Sequence, residues 1–180
     1  MKFLSYLALS AALLTLMGCP YHTEHALGTP GADKVDVSLI GHWTNGGKSQ
    51  LVNELTIDTA DAYELNVNVL GTGTEFEEQT LKFFGFTTKH ADTDWVYFWA
   101  DRADGPEGYY YMTYRFDEEG NLITQELNED KAKAANPSTR AEFKEYIEKN
   151  LAEGEIMNEE IMWTRMDAEE KAEKKEAETK

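Results

Sequence analysis

From Val37 to Phe116 the chain passes through six apolar stretches, and no long helical segment separates any two of them. They read "VSLIGHWT", "QLVNELTID", "AYELNVNVL", "TLKFFGFTT", "DWVYFWA" and "GYYYMTYRF". In the third, Tyr63, Leu65, Val67 and Val69 fall on one face, while Glu64, Asn66 and Asn68 fall on the other. A period of two is the mark of a strand with one face in a core and one in water. Short strands in quick succession pair with their neighbours as an antiparallel meander, because parallel pairing needs long crossovers. The loop "DEEGN" then turns the chain into a further strand, "LITQEL".

The pattern changes after Leu127. "NEDKAKAANP" has the composition of a short helix stopped at Asn136-Pro137. In "TRAEFKEYIEKNLAEG", Thr139 and Glu142 stand at capping-box spacing, and Phe143, Tyr146, Ile147 and Leu151 share one face. Gly154 suits the end of that helix. "EIMWTRM" returns to strand. The expected fold is mainly β: a small antiparallel barrel or strongly curved sheet, with a C-terminal helix packed before the last strand.

The aromatic strands set a problem for this reading. Trp95, Tyr97 and Trp99 share one face of their strand, yet Val96 and Phe98 make the other face apolar too. Tyr109, Tyr111 and Thr113 likewise oppose Tyr110, Met112, Tyr114 and Phe116. A strand with one face in water would carry polar residues there. Either the 139–152 helix covers the outer face while the inner face fills the barrel, or aromatic surface serves a ligand or partner. On the second reading Trp95, Tyr97, Trp99, Tyr109 and Tyr111 are the candidate ligand-binding residues.

The start of the chain has a different logic. Lys2 precedes fifteen uncharged, mostly apolar residues, and the sequence's single cysteine follows in "LMGC". Fifteen helical residues rise about 22 Å, short of the ~30 Å hydrocarbon core, so the run suits an export signal better than a membrane span. Leu16, Gly18 and Cys19 resemble the lipobox of bacterial lipoproteins. The resemblance implies cleavage before Cys19, a diacylglyceryl group on its thiol and an acyl chain on its new amine. Several chains on one residue make a stable anchor. Pro20, where the family uses Asp for inner-membrane retention, implies the outer membrane, with the domain on the periplasmic side. One cysteine also excludes an intramolecular disulfide, so the fold rests on its core.

Four segments follow. Residues 1–18 are the signal, 19–35 a Gly- and Pro-containing flexible tether, 36–167 the β domain and 168–180 a charged low-complexity tail. His22 and His25 in the tether have a metal-like spacing, but no further ligand stands near them in sequence, and no metal or cofactor is expected.

Loss of the signal removes one lysine and no acid, taking the net charge from −17 to −18. Such a surface repels nucleic acid and suits a cationic or basic partner. Gly-x-Ser-x-Gly, Walker, His-Glu-x-x-His and dinucleotide-binding motifs are absent, and His42 and His90 stand alone among strands. The expectation is a non-enzymatic protein.

"GHW" is similar to the Gly-x-Trp signature of lipocalin and calycin barrels, and "TDW" at Thr93–Trp95 resembles their Thr-Asp-Tyr loop. Arg165, near the end of the last strand, stands where that family places an Arg against the signature Trp. The resemblance implies that Gly41 and Trp43 close one end of a barrel, with Arg165 stacked on the indole. The resemblance is to architecture and does not fix function; the expected role is binding a small apolar or amphipathic ligand, or a protein partner, in the periplasm. The competing class is an inhibitor or immunity-type protein that neutralises a basic enzyme through its acidic surface.

Overall fold

A computed structural model describes residues 22–46, 52–73, 76–100, 108–154 and 156–166. Nine strands are seen among them: β1 (His22–Thr23), β2 (Gly41–Thr44), β3 (Glu54–Thr59), β4 (Leu65–Gly73), β5 (Phe76–His90), β6 (Thr93–Ala100), β7 (Tyr109–Phe116), β8 (Leu122–Glu126) and β9 (Ile161–Arg165). Helices α1 (Glu129–Ala135) and α2 (Arg140–Leu151) lie between β8 and β9.

Strands β2 to β9 form a closed eight-stranded antiparallel barrel. Each pairs with the next, and the ring closes where β2 meets β9 through Trp43↔Arg165 and Thr44↔Thr164. The expected lipocalin-like barrel with helix before the last strand is the observed fold. Its longest strand shows how it curls. The first half of β5 pairs with β4 and the second half with β6, overlapping at Phe83–Gly85. That stagger tilts the strands and closes the sheet on itself.

One core fills the interior. Trp43, Leu55, Ile57, Leu65, Val67, Val69, Val96, Tyr114, Leu122 and Trp163 are buried there with Leu39. The alternation in β3 and β4 therefore reads directly as inside and outside. The Trp163 indole donates to the Thr124 hydroxyl at 2.9 Å, so its polar edge is satisfied within the core.

A second core lies outside the barrel. Phe86, Trp95, Tyr97 and Tyr111 of β5–β7 pack with Leu127, Ala132, Phe143, Ile147 and Ile156. Helix α2 thus covers an outer sheet face, which is why β6 and β7 are apolar on both sides. Its first turn is fixed by Thr139, whose hydroxyl accepts from the Glu142 N–H at 3.2 Å. The Glu142 carboxylate reaches back one residue further than a standard capping box, to the Ser138 N–H at 2.8 Å. The Ser138 hydroxyl, donating at 2.7 Å, and then the Ser138 N–H hold the Glu142 carboxyl below its ordinary pKa. Asn136 ends α1 in the left-handed conformation at φ 41°, directly before Pro137.

Two expectations are corrected. Residues 37–39 do not open the first strand: they form a 3-10 turn, because the Asp36 carboxylate caps the Ser38 N–H at 2.9 Å. Residues 22–35 do not run free as a tether. β1 pairs with β7 (His22↔Tyr110, Thr23↔Tyr109), and Leu27 and Val35 are buried. The Tyr111 hydroxyl donates to the His25 carbonyl and fixes this segment to the outer core. Cys19, the signal residues 1–18 and the tail 168–180 lie outside the described residues. No helix among the described residues is long and apolar enough to cross a membrane.

Candidate functional site

The barrel has two unlike ends. At the first, Trp43 is fully buried and its indole N–H donates to the Leu39 carbonyl at 2.9 Å. Arg165 lies over that ring with its guanidinium carbon 4.5 Å from the ring centroid, and donates to the Ser38 carbonyl at 3.0 Å. Gly41 passes beneath: a Cβ there would stand 3.3 Å from the guanidinium and 3.5 Å from the indole nitrogen. Phe116 adds a tilted ring 6.0 Å from Trp43. This end is packed shut.

A cleft of about 340 Å³ lies outside it, lined by Asp33, Lys34, Asp36, Thr87, Thr88, Lys89, Asp94 and Tyr114. Its groups are largely spent on one another. Thr88 donates to Asp33 at 3.0 Å, Tyr114 to Asp36 at 3.2 Å, and Lys89 pairs with Asp94 at 3.4 Å. Burial first, then the neighbouring Asp36, push the Tyr114 phenol well above its ordinary pKa, which makes it a poor acid or base near neutrality.

Of the sequence-derived candidates, Trp95, Tyr97 and Tyr111 are buried in the outer core, with Trp99 and Tyr109 partly buried at its edge. Tyr97 and Tyr111 stack at 6.1 Å, Trp99 meets Phe86 at 4.7 Å, and Tyr111 meets Phe143 of α2 at 5.0 Å. The structure brings these residues together as the seat of α2 and of the N-terminal segment. They do not face the barrel interior. His90 belongs to the same layer, with Nε2 3.5 Å from the Glu148 carboxylate on α2. His42, on the outside of β2, shares a 2.8 Å bond between Nδ1 and the Thr56 hydroxyl. No three His, Cys, Asp or Glu side chains among the described residues are grouped to hold a metal.

The second end of the interior is different. Phe83, Phe98 and Tyr110 continue the inward faces of β5, β6 and β7, packed against the interior core or stacked on it, yet each is partly exposed. Phe98 and Tyr110 stack as direct cross-strand partners at 5.9 Å. Phe83 stands nearly perpendicular to both, at 5.2 Å and 6.2 Å. The three rings make a corner.

Beside that corner, β8 contributes a carboxylate. Glu126 pairs with Met112, whose side chain packs against the interior core, and directly opposed residues of an antiparallel pair share a face. The adjacent pair Leu127 and Tyr111 belongs to the outer core, which fixes Glu126 inward. Burial raises its pKa, and the Glu126 carboxylate has no hydrogen bond or ion pair with the described residues. A second acceptor lies toward this end: the Asn53 amide oxygen, two residues before inward Leu55, is buried without a hydrogen bond among the described residues.

The sequence contained the signal for these residues in the unchosen face of each strand. Phe98 and Tyr110 alternate with the residues selected as candidates, and Leu122, Thr124 and Glu126 share a period of two. With both faces apolar, nothing in the strands themselves told inside from outside.

Comparison of the chain with protein-family models, with curated proteins and with solved structures found no match.

Proposed function

We propose that this chain is a non-enzymatic binding protein, held by acyl chains on Cys19 to the periplasmic face of the bacterial outer membrane. Its barrel takes a small apolar or amphipathic ligand at the end opposite Trp43. The observation that carries this reading is the corner of Phe83, Phe98 and Tyr110, which points into a barrel yet remains partly exposed. Inward rings that packing has not fully covered are suited to bury an apolar body. The packed floor at Trp43 limits entry from the other side, so the ligand would sit on the floor's core rather than pass through. The acidic surface disfavours nucleic acid as a partner.

Native mass spectrometry of the lipoprotein taken from its own membrane tests the idea. A retained small molecule is expected in the parent protein, and Phe98→Ala should release it. A ligand-free parent that also fails to take up an apolar fluorescent probe in a Phe98-dependent way removes the reading.

A second reading rests on the net charge of −17. An acidic domain with a filled floor could neutralise a basic enzyme, its charge steering the encounter. Association with such an enzyme should then slow markedly between ~50 and ~500 mM salt, as the Debye length falls severalfold. A rate indifferent to salt would eliminate this alternative.

A further inference from the structure

Resting on the reading of the barrel end as a ligand site, we infer that its ligand carries a positive charge: an organic ammonium with an apolar body, seated with the charge on Glu126 and the body in the Phe83–Phe98–Tyr110 corner.

The argument begins with an imbalance. A carboxylate turned into a barrel gives up hydration, and a protein ordinarily compensates with an arginine, a lysine or several N–H donors. Glu126 has none among the described residues. Neither Arg115 nor Arg165 serves it. Arg115, three pairs along β7 from Met112 and so on the opposite face of the strand, holds Glu160 outside the barrel at 3.0 Å. Arg165 is engaged with Trp43 at the other end.

The rings beside the carboxylate supply the second element. Tyr110 is two residues from Met112 on the same face of β7, so it is the diagonal neighbour of Glu126 across the strand pair. Phe98 stacks on Tyr110, and Phe83 stands across both. Aromatic faces attract a cation through the ring quadrupole, and more strongly where water is thinned out. A carboxylate diagonal to Tyr110, in a corner that Phe98 and Phe83 extend, therefore favours an ammonium over a neutral group of the same shape, and repels an anion.

The partly buried carboxylate and the buried amide oxygen agree in sign. Among the described residues neither Glu126 nor the Asn53 amide oxygen has a donor, and an ammonium brings donors where a fatty acid brings further acceptors. The protein's overall charge acts in the same direction at long range by concentrating cations around the chain.

The test uses three small probes that do not form micelles: 2-phenylethylammonium, 2-phenylethanol and 3-phenylpropanoate. Binding to the full chain in lipid nanodiscs is measured by ligand-observed NMR, with empty nanodiscs as reference. The ammonium should bind about tenfold more tightly than the alcohol, a difference of about 1.4 kcal/mol, and the carboxylate should bind least. Glu126→Gln should remove most of that preference, chiefly by weakening the ammonium. Glu159→Gln, which removes an exposed carboxylate from the neighbouring loop, should leave the preference intact. If ammonium and alcohol bind equally and Phe98→Ala weakens both, the ligand site stands and the cation assignment falls. If Glu159→Gln erodes the preference as much as Glu126→Gln does, general acidity accounts for it and the assignment again falls. If no probe binds in a Phe98-dependent way, the ligand site itself is overturned.

Discussion

Trp43 and Arg165 are direct cross-strand partners at the seam where the barrel closes, and the guanidinium lies 4.5 Å from the indole centroid. One contact therefore joins the first barrel strand to the last and caps the interior core. Trp43→Ala should cost ~3–5 kcal/mol, the usual range for a large buried aromatic. Arg165→Ala should cost ~1–3 kcal/mol, through the ring contact and the bond to the Ser38 carbonyl. The losses should not add, because both variants remove the same contact. Urea unfolding of the double-mutant cycle measures the coupling, and a value near zero would show that the seam is held by the backbone ladder alone.

Helix α2 is held to the barrel by its buried side chains more than by its own propensity. Phe143 and Ile147 are fully buried against β6 and β7, whereas the Thr139 cap is exposed. Phe143→Ala should destabilise by ~3–5 kcal/mol, and Thr139→Ala by ~1 kcal/mol. Equal losses in equilibrium unfolding would mean that the helix docks weakly and that the outer core is sealed by other residues.

The strands were legible because their alternation states a period of two, and the barrel because nothing long enough for a crossover separates them. Three things were not legible, each for a physical reason. The inner and outer faces of β6 and β7 are both apolar, so the identity of the interior depends on where α2 lands, a long-range fact. The docking of residues 22–35 rests on the isolated apolar residues Leu27 and Val35 in a Gly- and Pro-containing stretch, with no periodicity to report it. The tight turn between β5 and β6 falls on Ala91 and Asp92, at φ 50° and 55°, conformations that turn sequences usually announce with Gly or Asn. The site inherited the first of these ambiguities: choosing Trp95, Tyr97 and Trp99 passed over Phe98.

The anchor is tested apart from the fold. Replacing Cys19 with Ala removes the thiol that would accept the diacylglyceryl group. A precursor of unprocessed mass, lacking acyl chains, should accumulate. A Cys19→Ala protein that is still cut before residue 19 and stays with membranes would rule out the lipoprotein reading without touching the barrel.

Glu126 makes a prediction about stability that needs no ligand. Burial raises its pKa in the folded chain above the ordinary carboxylate value. Below the unfolded value of ~4.3 the side chain is protonated in both states and costs nothing extra. As pH rises, the unfolded chain ionises first while the folded chain still holds its proton, so stability falls until the folded pKa is passed and then levels off. Glu126→Gln keeps the shape and removes the charge. The variant should therefore unfold at a higher urea concentration than the parent at pH 7, and the two midpoints should converge as pH is lowered below ~4. Asp117 and Glu142 shift in the opposite direction. Asp117 is held below its ordinary value, first by the Asn121 side-chain amide, and gives stability that is lost on acidification. Comparing parent with variant at each pH cancels those common contributions and isolates Glu126. A variant less stable than the parent at pH 7 would mean that the carboxylate is stabilised by charge where it sits, and that the barrel end already supplies the cation the ligand was expected to bring.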